Sequence, residues 1–185
     1  MAANQSPWPR EWLMTDERIG ERLWEAIEGL PPGAGVVFRH HGTPAHERVT
    51  IARRVTDLCR ERGLTLAISR DVALAELLSA RLVHNPASDP GALPFSRSAH
   101  SLDEAGSGCN SGASLIFLSP LFPTRSHPGE EPLPREEARA IVAGCLVPVI
   151  ALGGMSRARF EEVRRDGFYG WAGIDAWLGE GRSGS

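Results

Sequence analysis

With 185 residues, 42% of them hydrophobic and 23% charged, the chain holds apolar material for one core and is short for two ordinary domains. Its formal net charge of -3, with no run of like charges, gives no electrostatic footprint for nucleic acid or an anionic membrane, so a small molecule is the expected partner. No apolar stretch approaches the roughly 20 residues of a membrane span, and the opening MAANQSPWPR lacks a signal-peptide apolar region, so a cytoplasmic protein is expected.

Residues 1–10 and 179–185 read as loose ends, which predicts one domain over 1–185 with an ordered core at about 11–178. Between them, short apolar runs alternate with amphipathic helical patterns, the sequence form of βα units around a parallel sheet. The first run, 12–15, leads to Ile19, Leu23, Ile27 and Leu30 on one helical face; the second, 35–39, leads to Val49, Ala52, Val55 and Cys59 on another. The third and fourth runs are 64–69 and 81–84. Before the fifth, 95–100, NPASDPGALP holds three prolines and a glycine without a helical period, so a loop is expected in place of the fourth helix. The sixth run, 114–119, precedes a helix over 135–144. The seventh, 148–152, precedes SRARFEEVRRDG, opened by Ser156, stopped by Gly167, and carrying Glu and Arg on its outer face. The eighth run is 169–174. Alternation alone also fits an open doubly wound sheet, but eight units favour a small (β/α)8 TIM barrel. The missing helix helps explain a length below the roughly 250 residues typical of that fold.

In such a barrel the residues just past each strand build the site. Of six histidines, His40, His41, His84, His100 and His127 fall at or just after strand ends, whereas His46 begins a helix. Singly, each reads more readily as a surface or core histidine; as a set they suggest a shared pocket. Arg39 ends the second run, where its rigid donor fork suits a phosphate or carboxylate, a surface arginine being the alternative. Gly153 and Gly154 follow PVIAL and precede a helix, so their amides can approach a phosphate. Thr124 and Ser126 offer hydroxyls from a proline-rich loop whose turn they also stabilise. Ser98 faces inward one strand period before His100, as a site hydroxyl or as packing. Asp89, in SDPG, reads as a turn residue. Trp171 and Trp177 read as core. Cys59, Cys109 and Cys145 are odd in number, far apart and without metal or redox spacing, so reduced thiols are expected, with neither a disulfide framework nor a zinc site. No HxH or HExxH spacing supports a transition-metal hydrolase.

Taken together, WLMTD, GVVFRHH, AISRDVALAELLSARLVH, RSAHSLDEA, LSPLFPTRSHPG and PVIALGGM resemble the thiamine phosphate synthase and TenI family over nearly the whole chain. The resemblance implies a barrel that binds thiazole phosphate compounds. Its members either join hydroxyethylthiazole phosphate to an aminopyrimidine pyrophosphate with magnesium, as the synthase does, or isomerise a thiazole carboxylate phosphate, as TenI does. Several positions depart from the synthase pattern. Its QLREK becomes Val37, Phe38, Arg39, His40 and His41, keeping only the arginine. Ser69 and Arg70 stand where an Asn-Asp pair supplies a magnesium aspartate. Asp89 matches the second magnesium aspartate but makes a weak site alone. The TxSK element reads Thr124, Arg125, Ser126 and His127, without its lysine, and Asp175 replaces the serine of the last phosphate turn.

The resemblance places the TenI catalytic histidine on His100. It implies substrate contacts from Arg39, Ser69, Arg70, Thr124, Ser126 and His127, and a phosphate turn at Gly153, Gly154 and Asp175. No metal and no cofactor are expected; self-association is left open. An imidazole can take and return a proton near neutral pH, as tautomerisation requires, so that chemistry is favoured over synthesis. The alternatives are a non-catalytic or regulatory barrel and a divergent synthase in which Arg70 pairs with pyrophosphate. Arg39, Ser69, His100, Thr124, Gly154 and Asp175 are expected around one mouth.

Overall fold

Runs of three to five residues, apolar and buried on both faces in most cases, form the strands of a parallel sheet. They are β1 (Glu11–Met14), β2 (Gly35–Phe38), β3 (Thr65–Ser69), β4 (Leu82–His84), β5 (Phe95–Ala99), β6 (Leu115–Leu118), β7 (Val149–Ala151) and β8 (Gly170–Gly173). In the computed structural model, which describes residues 6–124, 129 and 131–179, each strand pairs in parallel with the next, and β8 pairs with β1 to close the barrel. The outer helices are α1 (Arg22–Glu28), α2 (Ala45–Glu61), α3 (Val72–Leu77), α4 (Leu102–Asn110), α5 (Arg135–Gly144) and α6 (Arg157–Val163). No helix joins β4 to β5, as the proline-rich segment predicts. None of the described helices is long and apolar enough to cross a membrane.

SRARFEEVRRDG forms α6 and then a 3-10 turn, Arg164–Asp166, that ends at Gly167, and the first predicted helix is also broken. Ile19 belongs to a separate 3-10 turn, Glu17–Ile19, which ends at Gly20 with φ 50°; α1 then starts at Arg22, and Leu30 lies beyond its end. All four expected apolar residues are nevertheless buried.

Strand parity separates two kinds of core. Trp12, Met14, Val37, Ala67, Leu82, Leu115, Phe117, Ile150 and Ala172 fill the barrel interior. Residues of the other parity, such as Leu13, Val36, Ile68, Val83, Ile116 and Ala151, pack under the helices. At the N-terminal end, Trp12 lies edge-on to Phe117, with centroids 5.6 Å apart, and its Nε1 donates to the Pro9 carbonyl at 2.8 Å. It pairs in register with Gly35, where any Cβ would collide with the indole. Trp171 is buried and stacks on Trp177 at 4.8 Å, and Trp177 Nε1 donates to the Trp12 carbonyl at 2.9 Å, latching the seam where β8 meets β1. The cysteines are free thiols, but Cys109 and Cys145, far apart in sequence, come within 3.3 Å of each other between α4 and the end of α5.

Candidate ligand site at the C-terminal mouth

Beyond the C-terminal ends of β1, β2, β6, β7 and β8, the loops enclose a cavity of about 540 Å³. Arg39, Thr124, Gly153, Gly154 and Asp175 border it, as does Ser119 at the end of β6. Ser69, Arg70 and His100 leave the same ends of β3 and β5 but are not among its walls. Four of the six residues expected around the mouth therefore share the cavity. Ser126 and His127 lie outside the described residues.

Gly153 and Gly154 adopt φ of 89° and 61°, the left-handed region open to glycine. A Cβ at Gly153 would lie 2.7 Å from Pro120 Cα, and one at Gly154 would lie 2.5 Å from the Pro123 carbonyl oxygen. The pair thus lets the β7 turn pack against the loop after β6, a structural demand besides any approach to phosphate. That packing is stitched by Leu121 N to Leu152 O at 3.0 Å and Phe122 N to Gly153 O at 3.1 Å. Among the described residues, no backbone carbonyl accepts from the Gly153 or Gly154 amide.

Sequence reasoning put the arginines of the helix opened by Ser156 on its outer face, and Arg159 corrects this: it is half-buried and borders the cavity. Ser156 caps α6 by accepting from Arg159 N at 3.2 Å, which sets the first helical turn beside the mouth. Arg159 Nη1 donates to the Gly154 carbonyl, and its guanidinium lies 5.0 Å from the Phe122 ring centroid. The available signal was its place three residues after a cap at the C-terminal end of β7. Across the cavity, Asp175 opens the 3-10 turn Asp175–Trp177 and is exposed. Its charge also reaches Arg18, whose pKa is raised first by the hydrogen bond and charge of Asp16 and then by Asp175.

At the β1–β2 corner Arg39 is pinned: Nε donates to the Thr15 carbonyl at 2.7 Å and Nη2 to Asp16 at 2.9 Å. Asp16 also takes a two-pronged contact from Arg18, at 2.8 and 3.0 Å. Burial opposes charge on Asp16, but the hydrogen bonds and charge of Arg18, with the charge of Arg39, hold its pKa below the usual carboxylate range. Asp16 was not singled out in the sequence, although TD at the end of β1 adjoins the end of β2. The Thr15 hydroxyl accepts from Arg39 N at 2.9 Å and lies 3.0 Å from His40 Nδ1. His40, at φ 41°, is buried and stacked on Phe38, and burial lowers its pKa.

Among the described residues, the histidines therefore do not form one pocket. His84 lies beneath the mouth, with Nδ1 3.0 Å from Ser96 Oγ, Nε2 3.2 Å from Ser98 Oγ and its ring edge-on to Phe117; burial pushes its pKa down to about 3. Ser98 is thus part of this buried network. His41 Nε2 lies 3.2 Å from Ser69 Oγ, and its pKa is lowered by burial and then by Arg70. His46 is exposed on α2. Arg70 has a left-handed backbone, φ 68°, and an exposed side chain. Asp71 caps α3 and pairs with Arg48 at 3.0 Å, and Asp89 accepts from Gly91 N at 2.9 Å, the turn role its sequence suggests. Among the described residues, no three His, Cys, Asp or Glu side chains are grouped to hold a metal ion.

His100 is fixed at the end of β5. Its backbone N donates to Glu104 Oε2 at 2.8 Å, while Glu104 N donates to Ser101 Oγ at 3.2 Å, a cap that starts α4. Its Nδ1 lies 3.0 Å from the Ser119 carbonyl oxygen. A carbonyl only accepts, so Nδ1 carries the proton of the neutral ring and Nε2 keeps the lone pair. The side chain reaches the cavity's edge through Ser119.

Fold and site together define a (β/α)8 barrel with its ligand cavity at the C-terminal mouth. The family model described as thiamine monophosphate synthase matches residues 12–177, and the chain belongs to that family of thiamine biosynthesis. It is 30% identical over 182 residues to "Putative thiamine-phosphate synthase 2" of Aquifex aeolicus, covering 92% of this chain and 98% of that one. It is also 30% identical over 181 residues to the thiamine-phosphate synthase of Chloroflexus aurantiacus, covering 90% and 84%. The solved thiamine phosphate pyrophosphorylase of Pyrococcus furiosus superposes with a TM-score of 0.79 at 25% identity, covering 95% of this chain and 90% of that one.

Proposed function

We propose that the cavity takes a thiazole phosphate and that His100 moves the proton of a thiazole tautomerisation. The observation that carries this reading is the 3.0 Å contact of His100 Nδ1 with the carbonyl of Ser119, a residue of the cavity wall, which leaves the Nε2 lone pair available as a base. A base that receives the proton can return it elsewhere on the ring, so the reaction balances within one substrate. Gly153 and Gly154 supply amides for the phosphate; Thr124 and Arg39 stand on the same walls.

The printed names of the relatives favour a second reading, synthase chemistry. The magnesium it would bring does not fit the residues here. Arg70 is a cation where the resemblance implies a metal aspartate, and Asp89 is engaged in its own turn.

Purified protein incubated with thiazole carboxylate phosphate should isomerise it, with solvent deuterium entering the product. His100→Gln should lower that rate by about 10² to 10⁴, the contribution of a general acid or base, with its melting temperature kept. Formation of thiamine phosphate from hydroxyethylthiazole phosphate and aminopyrimidine pyrophosphate with magnesium, without isomerisation, would replace this reading by the synthase. Turnover of neither substrate would leave a non-catalytic barrel.

A further inference from the structure

We infer that Arg159 is the cation that holds the ligand's phosphate, an inference that rests on the phosphate-binding reading of the cavity above. A phosphate dianion moved into a half-enclosed cavity needs a fixed positive charge as well as amide donors. In the loop after β6, His127 stands where the family resemblance implies a lysine. Among the described residues, two arginines border the cavity. Arg39 is committed, with Nη2 on Asp16 and Nε on the Thr15 carbonyl. Arg159 has no carboxylate within ion-pair distance among the described residues.

Its position is also prepared. One guanidinium nitrogen, Nη1, is held by the Gly154 carbonyl, and the plane rests near the Phe122 ring. Those contacts limit the rotamer freedom that binding would otherwise have to freeze, and they leave Nε and Nη2 without a protein acceptor among the described residues. The Gly153 and Gly154 amides lie on the same wall, also without a backbone acceptor among the described residues. An arginine fork beside two such amides suits a single tetrahedral oxyanion. The arginine belongs to the first turn of α6, whose start Ser156 fixes as its cap.

The test is calorimetric titration of inorganic phosphate and of hydroxyethylthiazole phosphate into the full-length parent, Arg159→Lys and Arg159→Gln, with melting temperatures recorded for all three. Arg159→Gln should lose tenfold or more in affinity for both ligands, Arg159→Lys should recover most of it, and the loss should shrink as salt is raised. Unchanged affinity in Arg159→Gln would overturn the inference. So would equal losses in the two variants, since the arginine would then act only by holding the Gly154 carbonyl. A parent that binds inorganic phosphate but no thiazole phosphate would overturn the thiazole reading alone, with Arg159 still judged on the phosphate titration. A parent that binds neither would overturn both.

Discussion

His84 is buried between two serine hydroxyls and stays neutral where an exposed histidine would charge. Burial lowers its pKa to about 3, and the charges of Arg39, His41 and Arg97 act in the same direction. In the unfolded chain it titrates near the ordinary value of about 6.5. Between those values the unfolded state binds a proton that the folded state refuses, so stability falls as pH drops through that window and is fully present above it. The contribution is on the order of a few kcal/mol, and the lowered pKa values of His40 and His41 add in the same sense. Urea midpoints from pH 7 to 4 should fall steeply in the parent and less steeply in His84→Gln, which is less stable at pH 7 but has lost that proton uptake; parallel curves would show that His84 titrates normally. Such distinctions were not legible in the sequence. Strand-end position was visible for five histidines, but the left-handed backbone of His40 and the serine cage of His84 depend on neighbouring strands. Arg159 was hidden because a helical pattern alone does not say which face of a short first turn meets the mouth.

At the level of elements the sequence was most readable where burial is two-sided. Every strand but β5, whose sequence is FSRSA, shows as a largely apolar run, and α5 shows over its observed span, because register and period there leave little choice. The first helix was read too long since a continuous apolar face hid the break at Gly20, where φ is 50°. Contacts between helices had no local signal at all. Cys109 on α4 and Cys145 after α5 are 36 residues apart in sequence and 3.3 Å apart at sulfur. An added low-molecular-weight disulfide such as oxidised glutathione should convert these two thiols into a bridge, releasing two reduced glutathiones per bridge. The reaction should be slow at neutral pH, because burial first and Cys109 second raise the Cys145 pKa to about 12. A bridge closing a loop of that length stabilises by up to about 4 kcal/mol on the chain-entropy account. Mass spectrometry should show a Cys109–Cys145 linked peptide with a higher melting temperature, and Cys145→Ser should abolish both. Mixed disulfides with glutathione alone would mean that the helices hold the thiols apart in solution.

At the scale of the whole molecule the two ends of the barrel carry different burdens. The N-terminal end is closed by packing: Trp12 occupies the space over Gly35, and the Arg10 carbonyl passes where a Cβ on Gly170 would stand. The C-terminal end carries the cavity, the committed ion pair of Arg39 and Asp16, and the opposed charges of Arg159 and Asp175. Barrel topology predicts this division, and it sets a joint test. Gly35→Ala forces a methyl against the Trp12 indole and should cost about 1–3 kcal/mol of stability, as overpacking does, without altering phosphate affinity. Asp175→Ser should do the reverse. A carboxylate about 4 Å from a bound anion would repel it by roughly 4 kcal/mol at an effective dielectric of 20. Arg18 shares that charge, so the net gain on removing it should be nearer tenfold, or about 1.4 kcal/mol. The double variant should show both effects within about 0.5 kcal/mol of their sum, since the positions lie at opposite ends of the strands. Thermal melts and phosphate titrations on the four proteins measure both axes. Unchanged affinity in Asp175→Ser would mean that Arg18 already neutralises the carboxylate, whereas a loss of phosphate affinity in Gly35→Ala would mean that the interior transmits strain from one end to the other and that stability and binding are not separable in so small a barrel.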